Sequence, residues 1–336
     1  MDDNTLRQIR DSLSNHHTSL LDWLQRDSPQ KQIQLGGSTV KEVLNIISDI
    51  QDTLERIDNN KFGKCNECDG EIEAECLELD FTTEICLDHY SPDQLHMLEK
   101  DLELTAKVQK HLYPCCIPSL PNIEIAVHTE SARIVSGDYY DFFGYAAGAQ
   151  GIAVADVMGK GLPASILMSN LQASLRILGP EYENLDALAA HLNKLFLHNL
   201  KLIRFITIFL AKIDIESFTL QYCNAGHHPV LWWEESSGLV HWLNPTGPAI
   251  GLIKDAKYDM KEIQLCSGDM FLFYTDGLVE ARNAENEEFG EDRLIRYLKD
   301  NHHHTAENFK KRLMDDVKSY AAKFHDDVTL LVAKIK

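Results

Sequence analysis

The stretch MFLFYTDGLVEA, Met270–Ala281, is an apolar, aromatic-rich run that stops at an aspartate followed by glycine. Such a run reads as a β-strand, with Asp276 at its end. Two other aspartates likewise follow or end strand-like runs, Asp138 in SGDYYDFF (136–143) and Asp156 in GIAVADVMGKG (151–161), and Asp326 in FHDDVTLLVAKI (324–335) opens one. A carboxylate at a strand end is held on rigid backbone and is available to a shared cleft. Several carboxylates converging there repel one another unless cations bind between them. Oxygen donors with no His or Cys among them suit Mg²⁺ or Mn²⁺ rather than zinc. Two such ions roughly 3.5–4 Å apart form a clamp for attack of water on a phosphate ester. The pattern implies a metal-dependent phosphate hydrolase.

Around these aspartates the texture is strand-rich. IEIAVHTE, GIAVADV, ITIFLAKID, FTLQYCN, VLWWEE and MFLFYTD all carry β-branched or aromatic residues. Helices are expected at about 162–178, 184–201 and 305–323. Many strands between few helices point to antiparallel α+β rather than alternating βαβ.

Upstream the organisation changes. Leu6, Ile9, Leu13, Leu20, Leu21 and Leu24 give helical spacing over 4–25, and RDSPQKQIQLGGS (26–38) breaks it. Thr39 then caps a second helix to about Asn59, with Val43, Leu44, Ile47, Ile50, Leu54 and Ile57 apolar. Residues 1–61 therefore read as a helical hairpin. Within 62–90, Cys65, Cys68, Cys86 and His89 form C-x2-C-x17-C-x2-H, a spacing suited to one tetrahedral structural Zn²⁺. Cys76 breaks the paired spacing and is not counted as a ligand. Residues 91–113 read as a linker helix ending before Pro114. Leu95, Leu98, Leu102, Ala106 (or Leu104) and Val108 form its apolar seam. That seam fits either the C-terminal domain or the same helix of a second chain, giving a homodimer.

Composition bounds the partners. A chain of 336 residues suggests about two domains. The formal net charge of −20 argues against general binding to nucleic-acid backbones or anionic membranes. No secretion signal and no run of about 18 apolar residues is expected, so the location read from sequence is cytoplasmic, with no membrane partner. Eight cysteines in that setting are reduced thiols or metal ligands.

SARIVSGDYYDFF, ADVMGKGLPASILMSNLQASLR, FITIFLAKID, NAGHHPVLWW, TGPAIGL, DMFLFYTDGLVEARN, EEFGEDRL and HDDVTLLVAKI occur in register with the Mg/Mn-dependent protein phosphatases of the bacterial SpoIIE/RsbU type. The resemblance covers 114–336. It implies a four-layer α/β/β/α sandwich that hydrolyses phosphoserine or phosphothreonine, often on a STAS-type anti-sigma-factor antagonist in partner-switching signalling. By the same resemblance Asp156 lies between two Mn²⁺ or Mg²⁺ ions, and the Val157 carbonyl is another metal ligand. Asp138, Asp276 and Asp326 complete the catalytic ligand set, and water held by the ions is the nucleophile. Ser136 replaces the first glycine of the family's GGDYYD block. Residues 56–89 also resemble the zinc finger of the DksA/TraR family, with His89 where a fourth cysteine is usual. The tip segment 26–38 has one acid and no DxxDxA pattern, so the polymerase-directed role of that family does not carry over.

Some roles stay open at this level. Asp141 and Asp327 fit second-shell acceptors or solvated carboxylates. His227 in NAGHHP fits a local hydrogen bond or acid catalysis, and Arg133 a phosphate clamp or a surface partner. His302, His303 and His304 read as a solvated run at a helix end. Two other functions compete with the protein phosphatase: a non-enzymatic zinc-finger regulator with a retired phosphatase fold, and a small-molecule phosphomonoesterase.

Overall fold

The computed structural model describes residues 10, 13, 14, 17, 21, 40–73, 76, 77, 82–145, 148–199, 205–321 and 324–336. The expected helix over 4–25 lies outside these except at five helical positions, and the loop 26–38 lies outside them entirely. The chain divides into two compact units, one on Met1–Asp101 and one on Leu102–Leu200 with Arg204–Lys336.

In the first unit, α1 (Val40–Asp58) buries Ile50 and Ile57 against Leu13. A second small cluster, Cys65, Ile72 and Cys86, forms the core of the cysteine module. Helix α2 (Pro92–Lys110) follows it. Ser91 and Gln94 start it as a reciprocal cap: the Ser91 N–H donates to Gln94 Oε1 at 2.9 Å and the Gln94 N–H to Ser91 Oγ at 3.3 Å. On this helix Leu98, Leu104 and Val108 are exposed, whereas its one buried residue is polar, Gln109.

The second unit holds two five-stranded antiparallel sheets. One orders β1 (Ile123–Glu130), β10 (Val328–Ile335), β9 (Met270–Tyr274), β6 (Val230–Glu234) and β7 (Leu239–Leu243). The other orders β2 (Tyr139–Gly144), β3 (Gln150–Val157), β4 (Ile206–Asp214), β5 (Thr219–Ala225) and β8 (Lys261–Gln264). Alternate residues of each central strand serve two different cores. Ile152 and Val154 of β3 meet Phe271 and Phe273 of β9 and Leu331 and Ala333 of β10 between the sheets. The opposite face of β3, Ala153, Ala155 and Val157, packs under α3 (Leu162–Leu178) and α4 (Leu185–Asn199). Met270, Leu272 and Tyr274 of β9 pack with Leu294 and Leu298 of α6 (Glu291–Asn301) and Phe309 and Leu313 of α7 (Ala306–Tyr320). Three apolar layers between four structural layers make the α/β/β/α sandwich expected from the resemblance. A single turn, α5 (Asp276–Val279), follows β9 directly.

All six anticipated strands and the helices at 162–178, 184–201 and 305–323 are present within a few residues. Strands β2, β7 and β8 are additional, and all three lie at sheet edges. An edge strand pairs on one side only, so its residues need not be uniformly apolar. β8 reads KEIQ and is mostly exposed. The histidine run is not simply solvated: His302 stacks on Trp233 with ring centroids 4.1 Å apart, and the His302 and His304 carbonyls accept from Lys334 Nζ at 2.6 and 2.8 Å. Among the described residues no helix is long and apolar enough to cross a membrane.

Candidate active site

Strand register brings the four aspartates together in two pairs. Asp138 opens a strand rather than following one, since 131–138 is irregular and β2 begins at Tyr139. Tyr139 faces Ala155 of β3, so Asp138 continues the ladder opposite Asp156. Tyr274 of β9 faces Leu330 of β10, which sets Asp276 after β9 near Asp326 before β10. Gly277 permits the close crossing there, since a β-carbon on it would lie 2.1 Å from the Asp327 carbonyl oxygen. One pair comes from each sheet. Thr275 links them by donating its hydroxyl to Asp138 Oδ2 at 2.7 Å while accepting from the Thr329 N–H at 2.9 Å.

The electrostatics record this crowding. Burial, followed by the charges of Asp276, Asp326 and Asp327, pushes Asp156 up to about 7. Burial and then Asp156 hold Asp138 well above the usual carboxylate range, against the Thr275 hydrogen bond. Burial and Asp326 raise Asp276 as well. One cation offsets the cluster: Lys160 Nζ lies 2.8 Å from Asp326 Oδ2 and donates to the His325 carbonyl at 3.0 Å. The Val157 carbonyl faces the same region, 3.1 Å from where a β-carbon of Gly137 would stand. Gly159 and Gly161, at φ 102° and 73°, turn the chain from β3 into α3. One buried and three half-buried carboxylates that repel one another, beside a main-chain carbonyl, are a donor set suited to hard divalent cations.

The remaining acids part company. Asp327 is a backbone clamp, its Oδ1 accepting from the Ala132 N–H and its Oδ2 from the Gly137 N–H, both at 2.8 Å. Asp141 is directed elsewhere: its Oδ2 accepts from Arg176 Nε of α3 at 3.0 Å and from the Tyr139 hydroxyl. Both are buried rather than solvated. His227 is buried too. Its Nδ1 lies 3.0 Å from Thr207 Oγ1, and its N–H donates to Asn224 Oδ1 at 2.8 Å, which is the local bonding of a tight turn. Arg133 NH1 lies 3.9 Å from where a β-carbon of Gly161 would stand, beside the turn after Asp156. Sequence reasoning missed Thr275, Lys160, Gln109 and Tyr113. Only the Thr-Asp-Gly and Gly-Lys-Gly contexts gave any signal for the first two.

In the first unit, the ligand atoms of Cys65, Cys68, Cys86 and His89 all lie within 4.8 Å of one another. Cys68 Sγ and Cys86 Sγ are 3.7 Å apart. That is too long for a disulfide and close to the edge of about 3.8 Å of a tetrahedron with Zn–S near 2.3 Å. The Glu67 and Gly70 N–H groups donate to the Cys65 and Cys68 sulfurs at 3.4 Å each. Cys76 packs beside this cluster without joining it.

A sequence profile described as Stage II sporulation protein E (SpoIIE) matches residues 146–336. The phosphoserine phosphatase RsbU of Bacillus subtilis (strain 168) is 27% identical over 267 residues, 77% of this chain and 79% of RsbU. Protein IcfG of Synechocystis is 31% identical over 225 residues, 59% of this chain, which spans only 35% of IcfG. The crystallised SiaA-PP2C domain of Pseudomonas aeruginosa superposes with a TM-score of 0.63 at 20% identity, over 72% of this chain and 98% of that one. With the profile matching more than half of its length, the chain belongs to the SpoIIE family and carries a PP2C-type serine/threonine phosphatase domain.

Proposed function

We propose that the chain removes phosphate from phosphoserine or phosphothreonine on a small regulatory protein, a phosphorylated STAS-type anti-sigma-factor antagonist, in cytoplasmic partner-switching signalling. The observation that carries this reading is the convergence of Asp138 and Asp156 from one sheet with Asp276 and Asp326 from the other, with Asp156 raised to about 7 by burial and its neighbours. These four carboxylates and the Val157 carbonyl would hold two Mn²⁺ or Mg²⁺ ions. When bound, such ions lower the pKa of water and neutralise charge on the phosphate ester. The chain's own residues position the ligands: Thr275 orients Asp138, Asp327 fixes the loop before it, and Lys160 holds Asp326. The serine ester is favoured by the name of the relative RsbU.

The proposed organisation is a helical hairpin at 1–61, a zinc finger at 62–90, a linker helix at 91–113 and the phosphatase domain at 114–336. Cys65, Cys68, Cys86 and His89 would hold one structural Zn²⁺, an assignment supported by their mutual spacing. The exposed Leu98, Leu104 and Val108 of α2 support a homodimer through the linker.

The test is turnover by the purified full chain with Mn²⁺ on phosphorylated STAS-domain proteins, with p-nitrophenyl phosphate alongside. Preference for the phosphoproteins is expected. Activity on the small ester alone would replace the reading by a phosphomonoesterase. No activity on either would make the fold a retired phosphatase.

A further inference from the structure

The segment 131–138, which delivers Asp138, belongs to no strand or helix. Its buried backbone groups therefore need partners from elsewhere. Asp327 supplies two, to the Ala132 and Gly137 N–H groups. Three more bonds come from the end of α2 and a residue just beyond it. Gln109 grips both backbone polar groups of Ser136: Nε2 donates to the Ser136 carbonyl at 2.6 Å, and Oε1 accepts from the Ser136 N–H at 2.9 Å. The Tyr113 hydroxyl donates to the Asp138 carbonyl at 2.7 Å. Ser136 Oγ in turn accepts from the Asp138 N–H at 3.1 Å.

A glutamine that is the buried residue of a helix whose Leu95, Leu102 and Ala106 are only half-buried calls for a reason. Gln109 is 6% exposed, while apolar Leu104 and Val108 nearby on the same helix are 60% and 55% exposed. A helix that only needed to dock would bury those apolar residues instead. Gln109 spends its burial on a two-point bond that fixes where residue 136 stands. Tyr113 is equally committed. Burial pushes its phenol far above the ordinary value, so it remains a donor, and its ring packs between Tyr139 and Tyr140 with centroids 5.8 and 5.6 Å away.

We infer that Gln109 and Tyr113 are positioning residues for Asp138: they set the placement of a catalytic carboxylate that they do not themselves touch. The inference rests on Asp138 acting in the phosphatase centre. It predicts that these side chains govern divalent-cation affinity more than stability. Groups that orient ligands from outside the ligand shell commonly change metal affinity about 10–100-fold.

The experiment uses the full chain, with Gln109→Ala, Gln109→Glu and Tyr113→Phe. Mn²⁺ affinity is read by calorimetry without substrate, and Mn²⁺ dependence of turnover separately. Tyr113→Phe removes one hydroxyl and keeps the ring, so it leaves a folded variant if Gln109→Ala does not. Expected is Mn²⁺ binding about 10-fold weaker in Gln109→Ala and Tyr113→Phe. Half-maximal turnover should need correspondingly more Mn²⁺ than in wild type. Gln109→Glu keeps the acceptor for the Ser136 N–H, loses the donor, and should fall between. Unchanged Mn²⁺ affinity in a folded variant overturns the inference, as does a lowered melting temperature with affinity intact. Failure of the wild-type chain to bind Mn²⁺ at all would instead count against the phosphatase reading.

Discussion

The two candidate metal centres are built on opposite plans. The donors of the Cys/His site fall within 25 residues, Cys65 to His89, and gather around a core of little more than Cys65, Ile72 and Cys86. The acids are delivered from Asp138 to Asp326 by the strand ends of two sheets that share three extended apolar layers. In the first, so little apolar surface is buried that a bound metal would have to supply much of the folding energy. In the second, extended apolar layers surround carboxylates that burial and mutual charge raise. If both sites take metal as proposed, the contrast is between a metal that makes a fold and a fold that makes a metal site.

Charge removal tests the second half most directly. Asp156→Asn or Asp276→Asn should lower Mn²⁺-dependent turnover by about 10²–10³-fold, the scale on which losing one charge-stabilising group acts. In chelator, the same variants should melt no lower than wild type, because a repelling buried charge has gone. A phosphatase assay paired with thermal melts reads both. Retained turnover, or a clear loss of stability, would erase the contrast.

At the cysteine site the signs reverse. With Cys65→Ser and Cys68→Ser together, zinc content should fall from about one per chain to none. A structural zinc contributes apparent binding energy of about 10–16 kcal/mol in isolated fingers, so residues 62–90 should become protease-sensitive. Melting of the sandwich should not move. Unchanged zinc by metal analysis would remove the site.

How much of this was legible beforehand follows from how local each feature is. The cysteine spacing and the strand-end aspartates lie in short patterns: the Cys/His ligand atoms stand within 4.8 Å of one another, and the aspartates are near enough to raise one another by charge. Central strands such as β9 and β3 are apolar on both faces and announce themselves. The edge strands β2, β7 and β8 do not, since one side of each has no strand to satisfy. Asp138 and Asp141 look alike in SGDYYDFF. Only partners brought in by folding, Thr275 for one and Arg176 for the other, separate their roles. Gln109 carried no signal because its partner, Ser136, lies in a different part of the chain with no pattern linking the two.

That distinction gives a smaller prediction. Asp141→Ala strips a buried acceptor from Arg176, the Tyr139 hydroxyl and the Phe142 N–H. It should cost about 1.5–3 kcal/mol, as for hydrogen bonds to charged groups, and leave calorimetric Mn²⁺ affinity unchanged. Asp138→Asn should do the reverse. If Asp141→Ala weakened Mn²⁺ as much as Asp138→Asn, the division between the two acids would fail.

An effect of similar size, visible only as a pH dependence, concerns His227, a buried group whose neutral form is built in. Burial, then the neighbouring His228, pushes its imidazole down to about 3. The unfolded chain has it near 6.5. Between those values the unfolded state binds the extra proton, so the stability that the neutral ring contributes is complete above about pH 6.5 and is lost as pH falls toward 3. The slope from this one group is at most about 1.4 kcal/mol per pH unit. His227→Gln has no such titration. Urea unfolding at pH 7.5, 5.5 and 4.5 should show wild type ahead at the highest pH and the gap closing on acidification. The acids act in the opposite sense, because a carboxylate raised by the fold loses stability as pH rises. A gap between wild type and His227→Gln that stayed constant across these pH values would show that the imidazole takes up its proton without cost, and that burial is not what holds it neutral.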